Sequence, residues 1–223
     1  IVRFLKTQDV KAIVVACNTA SALALETISA ETDLPMIGVV EPGAKVAVET
    51  TRNKKIGLIG TRATVKSGLY QRVIQKEDPE IQVSGQPCPL FVPLVENGYF
   101  NADNEVTRLV AQDYLKPLQS AGVDTLILGC THYPLIAPIL AKVMGPDVAL
   151  VDSGRETALR TAALLREADL LRNNEHTGTA HYFVSDSTES FATLSGWFLG
   201  EYAGGEVTRI SVDHYPADGG ISQ

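Results

Sequence analysis

Two cysteines in this sequence stand in matching surroundings. Residues 10–19 align without gaps on residues 123–132, and in each copy a short apolar run ends at a small residue that a cysteine and two polar residues follow. The first copy ends in Cys17, Asn18 and Thr19, and the second in Cys130, Thr131 and His132. A thiol at the junction of a strand and a helix lies near unpaired backbone N–H groups at the positive end of the helix dipole. These groups favour the thiolate, so the pattern predicts a lowered pKa for both thiols.

A thiolate can abstract a proton, and two thiols on opposite sides of one carbon can invert that carbon. Racemisation of an amino acid removes the α-proton on one face and returns a proton on the other, so it needs a base and an acid that face each other. We predict that Cys17 and Cys130 exchange these two roles according to which enantiomer is bound. Simple packing is the alternative, since free cysteine is among the most buried residue types. Because the two cysteines stand in matching surroundings, we favour the acid/base role over packing.

The polar residues beside each cysteine suit a charged substrate. Donors in the first turn of a helix can hold a carboxylate, and this is our interpretation of Asn18, Thr19 and Thr131. N-capping is the alternative, although it explains only one such residue per helix. His132 is a candidate partner that assists the Cys130 thiol with its proton, and a structural histidine is the alternative.

The elements that must position these residues follow from the hydrophobic pattern. Short apolar runs alternate with longer amphipathic segments, which predicts βα units around a mainly parallel sheet. The predicted strands are 12–16, 36–40, 55–59, 81–84, 125–129, 148–151, 180–184 and 207–212. The predicted helices are 19–30, 43–52, 65–76, 105–121, 135–144, 156–171 and 189–200. The stretch that contains Pro87, Pro89 and Pro93 is predicted to be irregular.

The repeated strand–cysteine–helix unit predicts an α/β fold of two pseudo-symmetric, doubly wound parallel-sheet lobes. Each lobe would offer a cysteine at the carboxyl end of a strand, where open α/β sheets bind ligands, so the active site would lie in the cleft between the lobes. The first lobe is predicted to comprise residues 1–40 plus 152–223, and the second residues 41–151. Residues 1–6 have the pattern of a helix without an N-terminal cap, so we expect the first lobe to be incomplete.

Composition narrows the class of protein. The chain is 45% hydrophobic and carries a net charge of −7 without a cluster of Lys and Arg, which argues against a nucleic-acid surface. No apolar run approaches the ~20 residues that span a bilayer, and no secretory signal pattern is present, so we predict a cytoplasmic protein without a membrane partner. The three cysteines form no Cys-x-x-Cys pair and predict free thiols rather than disulfides.

The sequence around both cysteines resembles a known family. The stretch Val-Ala-Cys-Asn-Thr-Ala at 15–20 and the stretch Leu-Gly-Cys-Thr-His-Tyr-Pro at 128–134 are similar to the two signature motifs of glutamate racemase, within the aspartate/glutamate racemase superfamily. The similarity continues, in the family's order, through Gly-Thr-Arg-Ala-Thr-Val at 60–65, Pro-Leu-Val-Glu-Asn-Gly at 93–98 and Val-Asp-Ser-Gly-Arg-Glu at 151–156. It therefore covers nearly the whole chain.

The resemblance implies a role for individual residues. Cys17 and Cys130 would be the proton donor and acceptor of a cofactor-independent racemase that supplies D-glutamate for peptidoglycan. Glutamate would be bound or oriented by Asn18, Thr19, Thr131 and His132. Thr64 would contact a carboxylate, with an N-cap for the helix 65–76 as an equal alternative, and Glu96 would support His132. Asp152 and Ser153 are expected to cap the next helix, and Cys88 to pack in the core.

The sequence departs from the family at its beginning. Glutamate racemases open with a strand that leads into an Asp-Ser-Gly turn, and a Tyr-Gly loop follows. These segments supply an acidic residue beside the first cysteine, and nothing upstream of Ile1 matches them. We therefore expect either an incomplete sequence or a truncated, inactive form.

Other functions fit less well. Neither a Schiff-base lysine with a phosphate cradle nor a Gly-rich dinucleotide turn stands out, so no cofactor is implied. A metal site of Cys17, Cys130 and His132 lacks the tight local ligand pair that zinc normally uses. A racemase of the same superfamily that acts on aspartate or a hydantoin stays open, as does a non-catalytic binding protein. The sequence also leaves a homodimer open.

Overall fold

The structure is a computed structural model that describes residues 1–172, 178–200 and 204–215. The strands are β1 (Ile13–Val15), β2 (Met36–Gly38), β3 (Lys55–Gly60), β4 (Gln82–Pro87), β5 (Thr125–Gly129), β6 (Ala149–Asp152), β7 (His181–Val184) and β8 (Glu206–Arg209). The α-helices are α1 (Val2–Lys6), α2 (Asn18–Leu23), α3 (Leu25–Ser29), α4 (Val40–Thr50), α5 (Arg62–Ser67), α6 (Leu69–Glu77), α7 (Phe91–Glu96), α8 (Glu105–Ala121), α9 (Ala137–Met144), α10 (Ser153–Glu167) and α11 (Thr188–Leu199). Two short 3₁₀ helices cover Tyr133–Ile136 and Val212–His214.

The chain divides into two compact units, one of Ile1–Lys11 with Leu171–Gln223 and one of Ala12–Leu170. These boundaries are not those of the predicted lobes, and the two-lobe arrangement stays a prediction. In the first unit, β7 and β8 pair in parallel, with α11 between them in the chain. The ring of Phe4 on α1 makes edge contacts with Phe183 and Tyr215, at centroid distances of 4.8 and 5.4 Å.

The second unit contains two parallel sheets, one of four strands in the order β4-β3-β5-β6 and one that pairs β1 with β2. Helices pack on both faces of the four-stranded sheet. Leu126 and Leu128 of β5 join an apolar cluster with residues of α7, α8 and α9, whereas Ile127 joins a cluster with residues of α4 and α6. This alternation follows from the two-residue period of a strand. The predicted α/β class with parallel sheets is confirmed.

The strand order places a topological switch point between β3 and β5. From β3 the chain moves outward to β4, and from β5 it moves outward the other way to β6, so the crevice at the carboxyl ends of β3 and β5 is where open α/β sheets bind ligands. The two strands end in register at Gly60 and Gly129. A Cβ at Gly129 would lie 2.6 Å from the carbonyl oxygen of Ile59, so only glycine permits this approach. The next residues, Thr61 and Cys130, therefore stand side by side.

Capping residues explain which predicted helix boundaries hold. The predicted helix 105–121 matches α8 at both ends, since the Asn104 side chain accepts a hydrogen bond from Thr107 N and Gly122 ends the helix with φ 68°. The prediction of one helix over 65–76 is wrong. Thr61 starts α5 earlier, and Gly68 with φ 67° separates α5 from α6.

The prediction of an irregular proline-rich stretch is wrong for its second half. Residues Phe91–Glu96 form α7, with Pro93 in its first turn. A proline is tolerated there because the first backbone N–H groups of a helix have no partner within it. Phe91 and Val95 are fully buried and anchor α7 on the sheet, so that Glu96 comes at its end. Among the described residues, no helix is long and apolar enough to cross a membrane.

Candidate active site

Cys17 follows β1 at the N-cap position of α2, and its side chain is exposed. The next residue, Asn18, is the first residue of the helix and is 3% exposed. Ser21 holds this turn in place, because its hydroxyl donates to the Val15 carbonyl at 2.8 Å and accepts from Val39 N at 3.3 Å. These bonds tie α2 to β1 and to the residue after β2. The predicted strand–cysteine–helix geometry is therefore present at Cys17.

Cys130 follows β5 and is only 9% exposed, within the apolar cluster of α7, α8 and α9. The prediction that Thr131 and His132 occupy a first helical turn is wrong. Both residues form a turn, and His132 is the N-cap of the 3₁₀ helix Tyr133–Ile136. The side chains of Thr131 and His132 therefore stay beside the thiol at the carboxyl end of β5.

The predicted lowering of the pKa is wrong for Cys130. Burial raises the pKa of its thiol, and the negative charges of Cys17 and Glu96 raise it further. Hydrogen bonds from the His132 backbone N–H and the Thr131 side chain lower it, but they do not offset burial. The structure therefore favours the protonated thiol at Cys130.

His132 connects the Cys130 thiol to a carboxylate. Its Nδ1 lies 3.8 Å from Cys130 Sγ and 3.4 Å from Thr131 Oγ1, and its Nε2 lies 3.0 Å from Glu96 Oε1. An ionised carboxylate can only accept, so the proton on a neutral imidazole resides on Nε2. Nδ1 is then the acceptor that faces the thiol. The expected support of His132 by Glu96 has this geometric basis.

Three threonine hydroxyls meet on the other side of the switch point. Thr19 Oγ1 lies 2.8 Å from Thr61 Oγ1 and 3.1 Å from Thr64 Oγ1, and Thr61 and Thr64 are 3.0 Å apart. The N-cap of α5 is Thr61, whose hydroxyl accepts a hydrogen bond from Thr64 N at 3.1 Å. The alternative prediction, in which Thr64 is a helix N-cap, is therefore wrong. Sequence reasoning missed Thr61 as a site residue, because the Thr19 hydroxyl that it contacts lies 42 residues away in the chain.

The remaining predicted residues have structural roles. Asp152 caps α10 and accepts from Gly154 N at 2.8 Å, as expected. Ser153 is buried in the first turn of that helix, and its side chain bonds to Tyr70 rather than to the helix end. Cys88 is fully buried, and burial raises the pKa of its thiol to about 12. Among the described residues, no three His, Cys, Asp or Glu side chains gather where they could hold a metal ion.

Comparison with known proteins identifies the family. The model of the Asp/Glu/Hydantoin racemase family matches residues 1–161. The chain belongs to this family. The glutamate racemase of Geobacter metallireducens is 46% identical over 213 residues, which cover 96% of this chain and 78% of the relative. The glutamate racemase of Streptococcus gordonii is 43% identical, with the same two coverages.

A solved structure of this racemase family has the same fold. The crystal structure of glutamate racemase from Francisella tularensis in complex with D-glutamate superposes with a TM-score of 0.87 and 33% sequence identity, over 96% of this chain and 78% of that one. This chain is thus an isomerase of the racemase family, as the sequence motifs predicted.

Proposed function

We propose that this racemase interconverts L- and D-glutamate, with Cys17 and Cys130 as the two acid/base groups. The observation that carries the proposal is the contact between the Cys17 turn and the end of the central sheet: Thr19 Oγ1 lies 2.8 Å from Thr61 Oγ1, and Thr61 follows β3, which ends in register with the strand that leads to Cys130. Three relatives at 43–46% identity are named glutamate racemases, which supports glutamate over aspartate or a hydantoin as the substrate.

The reaction needs one thiolate and one thiol. The thiolate takes the α-proton of the bound amino acid, the Cα–H bond breaks, and its electron pair stays on the substrate, delocalised towards the carboxylate. The opposite thiol then gives its proton to the other face of Cα, so the protein ends with the two protonation states exchanged. Because Cys130 favours its protonated form, it would begin as the acid when Cys17 is the base.

His132 and Glu96 would serve the Cys130 side of this cycle. With Nε2–H donated to Glu96, Nδ1 is free of a proton and lies close enough to accept one from the buried thiol. Cys130 can then become a thiolate when the opposite enantiomer requires a base on that face.

The hydroxyl cluster and the neighbouring donors would bind the substrate's carboxylates. Three mutually bonded hydroxyls can turn their protons from each other to an anion without moving an oxygen, which makes Thr19, Thr61 and Thr64 suitable donors. Asn18 would add an amide donor beside Cys17, and Thr131 a hydroxyl beside Cys130. These residues flank the two thiols and would hold Cα between them.

The wider role follows from the same proposal. The chemistry uses no cofactor, and the small-molecule partner is glutamate. The product, D-glutamate, would supply bacterial peptidoglycan synthesis, and the enzyme would work in the cytoplasm. Assembly as a homodimer stays a prediction from the sequence, as do the two lobes.

Deuterium exchange at Cα tests the proposal. The full-length protein is incubated in D₂O with L- or D-glutamate, without added cofactor, and deuterium at Cα and chirality are followed by NMR and chiral chromatography. We expect exchange and racemisation with both enantiomers, and much less with L- or D-aspartate. A full-length protein that is silent with glutamate would contradict the substrate; turnover of aspartate instead would reassign it.

Single cysteine variants test the two-base scheme. Cys17→Ala and Cys130→Ala should each lower racemisation by about 10²–10⁴-fold or more, because each removes an obligatory acid or base. Cys88→Ala is the matched control, since it removes a thiol that lies in the core. Each site variant should still eliminate a leaving group from Cβ of a glutamate analogue in one enantiomer only. Variants that racemise normally would contradict the scheme.

A further inference from the structure

The buried side chains of Tyr70 and Ser153 connect the Cys17 turn to the start of α10. The hydroxyl of Tyr70 donates to Asn18 Oδ1 at 2.7 Å, and both side chains are at most 3% exposed. Burial raises the pKa of the Tyr70 phenol, and a hydrogen bond with the buried Ser153 side chain opposes that rise. The three residues come from α2, α6 and the first turn of α10.

The direction of the Tyr70 hydrogen bond determines how Asn18 is oriented. A tyrosine hydroxyl has one proton, and here that proton points to Asn18 Oδ1. An amide that receives a proton does so through Oδ1, so Nδ2 must face the other way. Among the described residues, none accepts a hydrogen bond from Asn18 Nδ2. Every side-chain nitrogen that is fully buried in this part of the chain has a hydrogen-bond partner, so a nitrogen without one is not fully buried. Nδ2 is therefore the accessible end of Asn18.

We propose that Tyr70 and Ser153 are positioning residues that hold the Asn18 amide with Nδ2 turned to the substrate's carboxylate beside Cys17. The inference rests on the proposed function for the identity of that carboxylate. An amide rotated by 180° would present Oδ1 instead, an acceptor that repels an anion. The two buried hydroxyls thus decide whether Asn18 binds or repels the substrate.

The packing around Tyr70 and Ser153 fits this role. Gly43 of α4 lies against both side chains, and a Cβ there would come within 2.8 Å of Ser153 Cβ and 3.3 Å of the Tyr70 hydroxyl oxygen. A glycine inside a helix costs about 1 kcal/mol relative to alanine, so a packing reason is expected for it. A phenylalanine at position 70 would fill the core equally well, and the buried hydroxyl is explained by what it bonds.

Kinetics of matched variants separate positioning from stability. Tyr70→Phe should lower kcat/KM by roughly tenfold for both glutamate enantiomers, mainly through a higher KM, and Ser153→Ala should have a smaller effect in the same direction. In an Asn18→Ala background, Tyr70→Phe should change kcat/KM by less than about twofold, because its target is gone. Thr107→Val is the control: it removes another buried hydroxyl bond, to the Tyr99 carbonyl in the region of α8.

The control should lose stability as Tyr70→Phe does while it retains wild-type kinetics. A Tyr70→Phe enzyme with the KM of the control would overturn the inference, and so would a Tyr70→Phe effect of equal size with and without Asn18. A second readout does not depend on turnover. The Asn18 side-chain amide signal in ¹⁵N NMR, assigned by its loss in Asn18→Ala, should shift in Tyr70→Phe but not in Thr107→Val.

These readouts distinguish the two proposals. A wild-type protein that does not racemise glutamate contradicts the proposed function, and the amide signal then decides whether Tyr70 orients Asn18. An unchanged Asn18 signal in Tyr70→Phe overturns the positioning role whether or not the protein racemises glutamate.

Discussion

The two cysteine turns have the same sequence pattern but different surroundings. Cys17 comes shortly after β1, a three-residue strand whose one partner in the described part of the chain is β2, and its thiol is exposed. Cys130 follows β5, which lies between β3 and β6 in the four-stranded sheet. Its thiol is buried, and burial raises its pKa. The first turn continues into an α-helix and the second into a 3₁₀ helix.

This difference shows that a local sequence pattern predicts the position of a thiol but not its pKa. Strand, small residue, cysteine and polar residues specify where the chain turns, and they do so in both copies. The cost of ionising the thiol depends instead on how many apolar residues pack around it, and these come from distant helices. For the proposed reaction the two thiols are therefore not equivalent: Cys17 is exposed, whereas Cys130 is buried and has His132 and Glu96 beside it.

The largest expected effect is the order in which the thiols react. We expect iodoacetamide at pH 8 to alkylate Cys17 first, Cys130 more slowly and Cys88 last. A pKa of about 12 leaves a Cys88 thiolate fraction on the order of 10⁻⁴, so its rate should be at least about 10³-fold below that of Cys17. Mass spectrometry of peptides over a time course measures each rate, and denatured protein, in which all three should react alike, is the control. Faster labelling of Cys130 than of Cys17 would contradict the comparison.

A smaller effect is expected from uncoupling His132. Glu96→Gln replaces an obligate acceptor with an amide that can donate, so the proton on Nε2 is no longer fixed and Nδ1 is less available to Cys130. We expect kcat/KM for glutamate to fall by roughly 10- to 100-fold, below the loss of an acid/base group itself. Alkylation of Cys17 should not change, since the variant alters only the Cys130 turn.

Glu105→Gln is the matched control for that variant. Glu105 pairs with Arg108 on the exposed face of α8, and such surface pairs contribute little. Steady-state measurement of kcat/KM for L- and D-glutamate compares the two variants. Equal rates in Glu96→Gln and Glu105→Gln would remove the assisting role from the His132–Glu96 pair.

The sequence predicted the strands and the α/β class because their signals are local. Apolar runs of strand length marked each of the eight strands in the described part of the chain, and explicit caps such as Asn104 and Gly122 determined both ends of α8. The break at Gly68 and the helix at Phe91–Glu96 were missed. The prediction treated Gly68 as a residue within one helix, whereas its left-handed conformation ends α5. It treated Pro93 as a helix breaker, whereas a proline is tolerated in the first turn of a helix.

The site was predictable as a set of residues but not as a set of contacts. The motifs named the thiols, Asn18 and the threonines, yet the direction of the Cys130 pKa was wrong because burial comes from long-range packing. Thr61 and Tyr70 were missed for the same reason. Their partners Thr19 and Asn18 are 42 and 52 residues away, and no local spacing relates them.

The smallest predicted effect concerns how the Cys130 strand is anchored. The Asp124 carboxylate, just before β5, accepts hydrogen bonds from Thr51 Oγ1 at 2.6 Å, Arg52 N at 2.7 Å and Asn53 N at 2.8 Å. Burial opposes ionisation here, but these donors together lower the pKa of Asp124. Asp124→Asn should therefore lower the free energy of unfolding at pH 7 by about 0.5–1.5 kcal/mol, because solvent screens this partly exposed carboxylate and asparagine keeps one acceptor oxygen.

The pH dependence of that loss gives the sharper test. A carboxyl whose pKa is lower in the folded state stabilises the fold above its unfolded pKa of about 4, and the contribution disappears as the pH falls through the folded value. Urea unfolding should thus show the gap between wild type and Asp124→Asn narrow below about pH 4, whereas Asp103→Asn, at an exposed pair with Lys142, should leave the midpoint unchanged. A looser β5 should also speed alkylation of Cys130 and not of Cys17. If both thiols respond alike, the anchoring of β5 is not what separates the two cysteine turns.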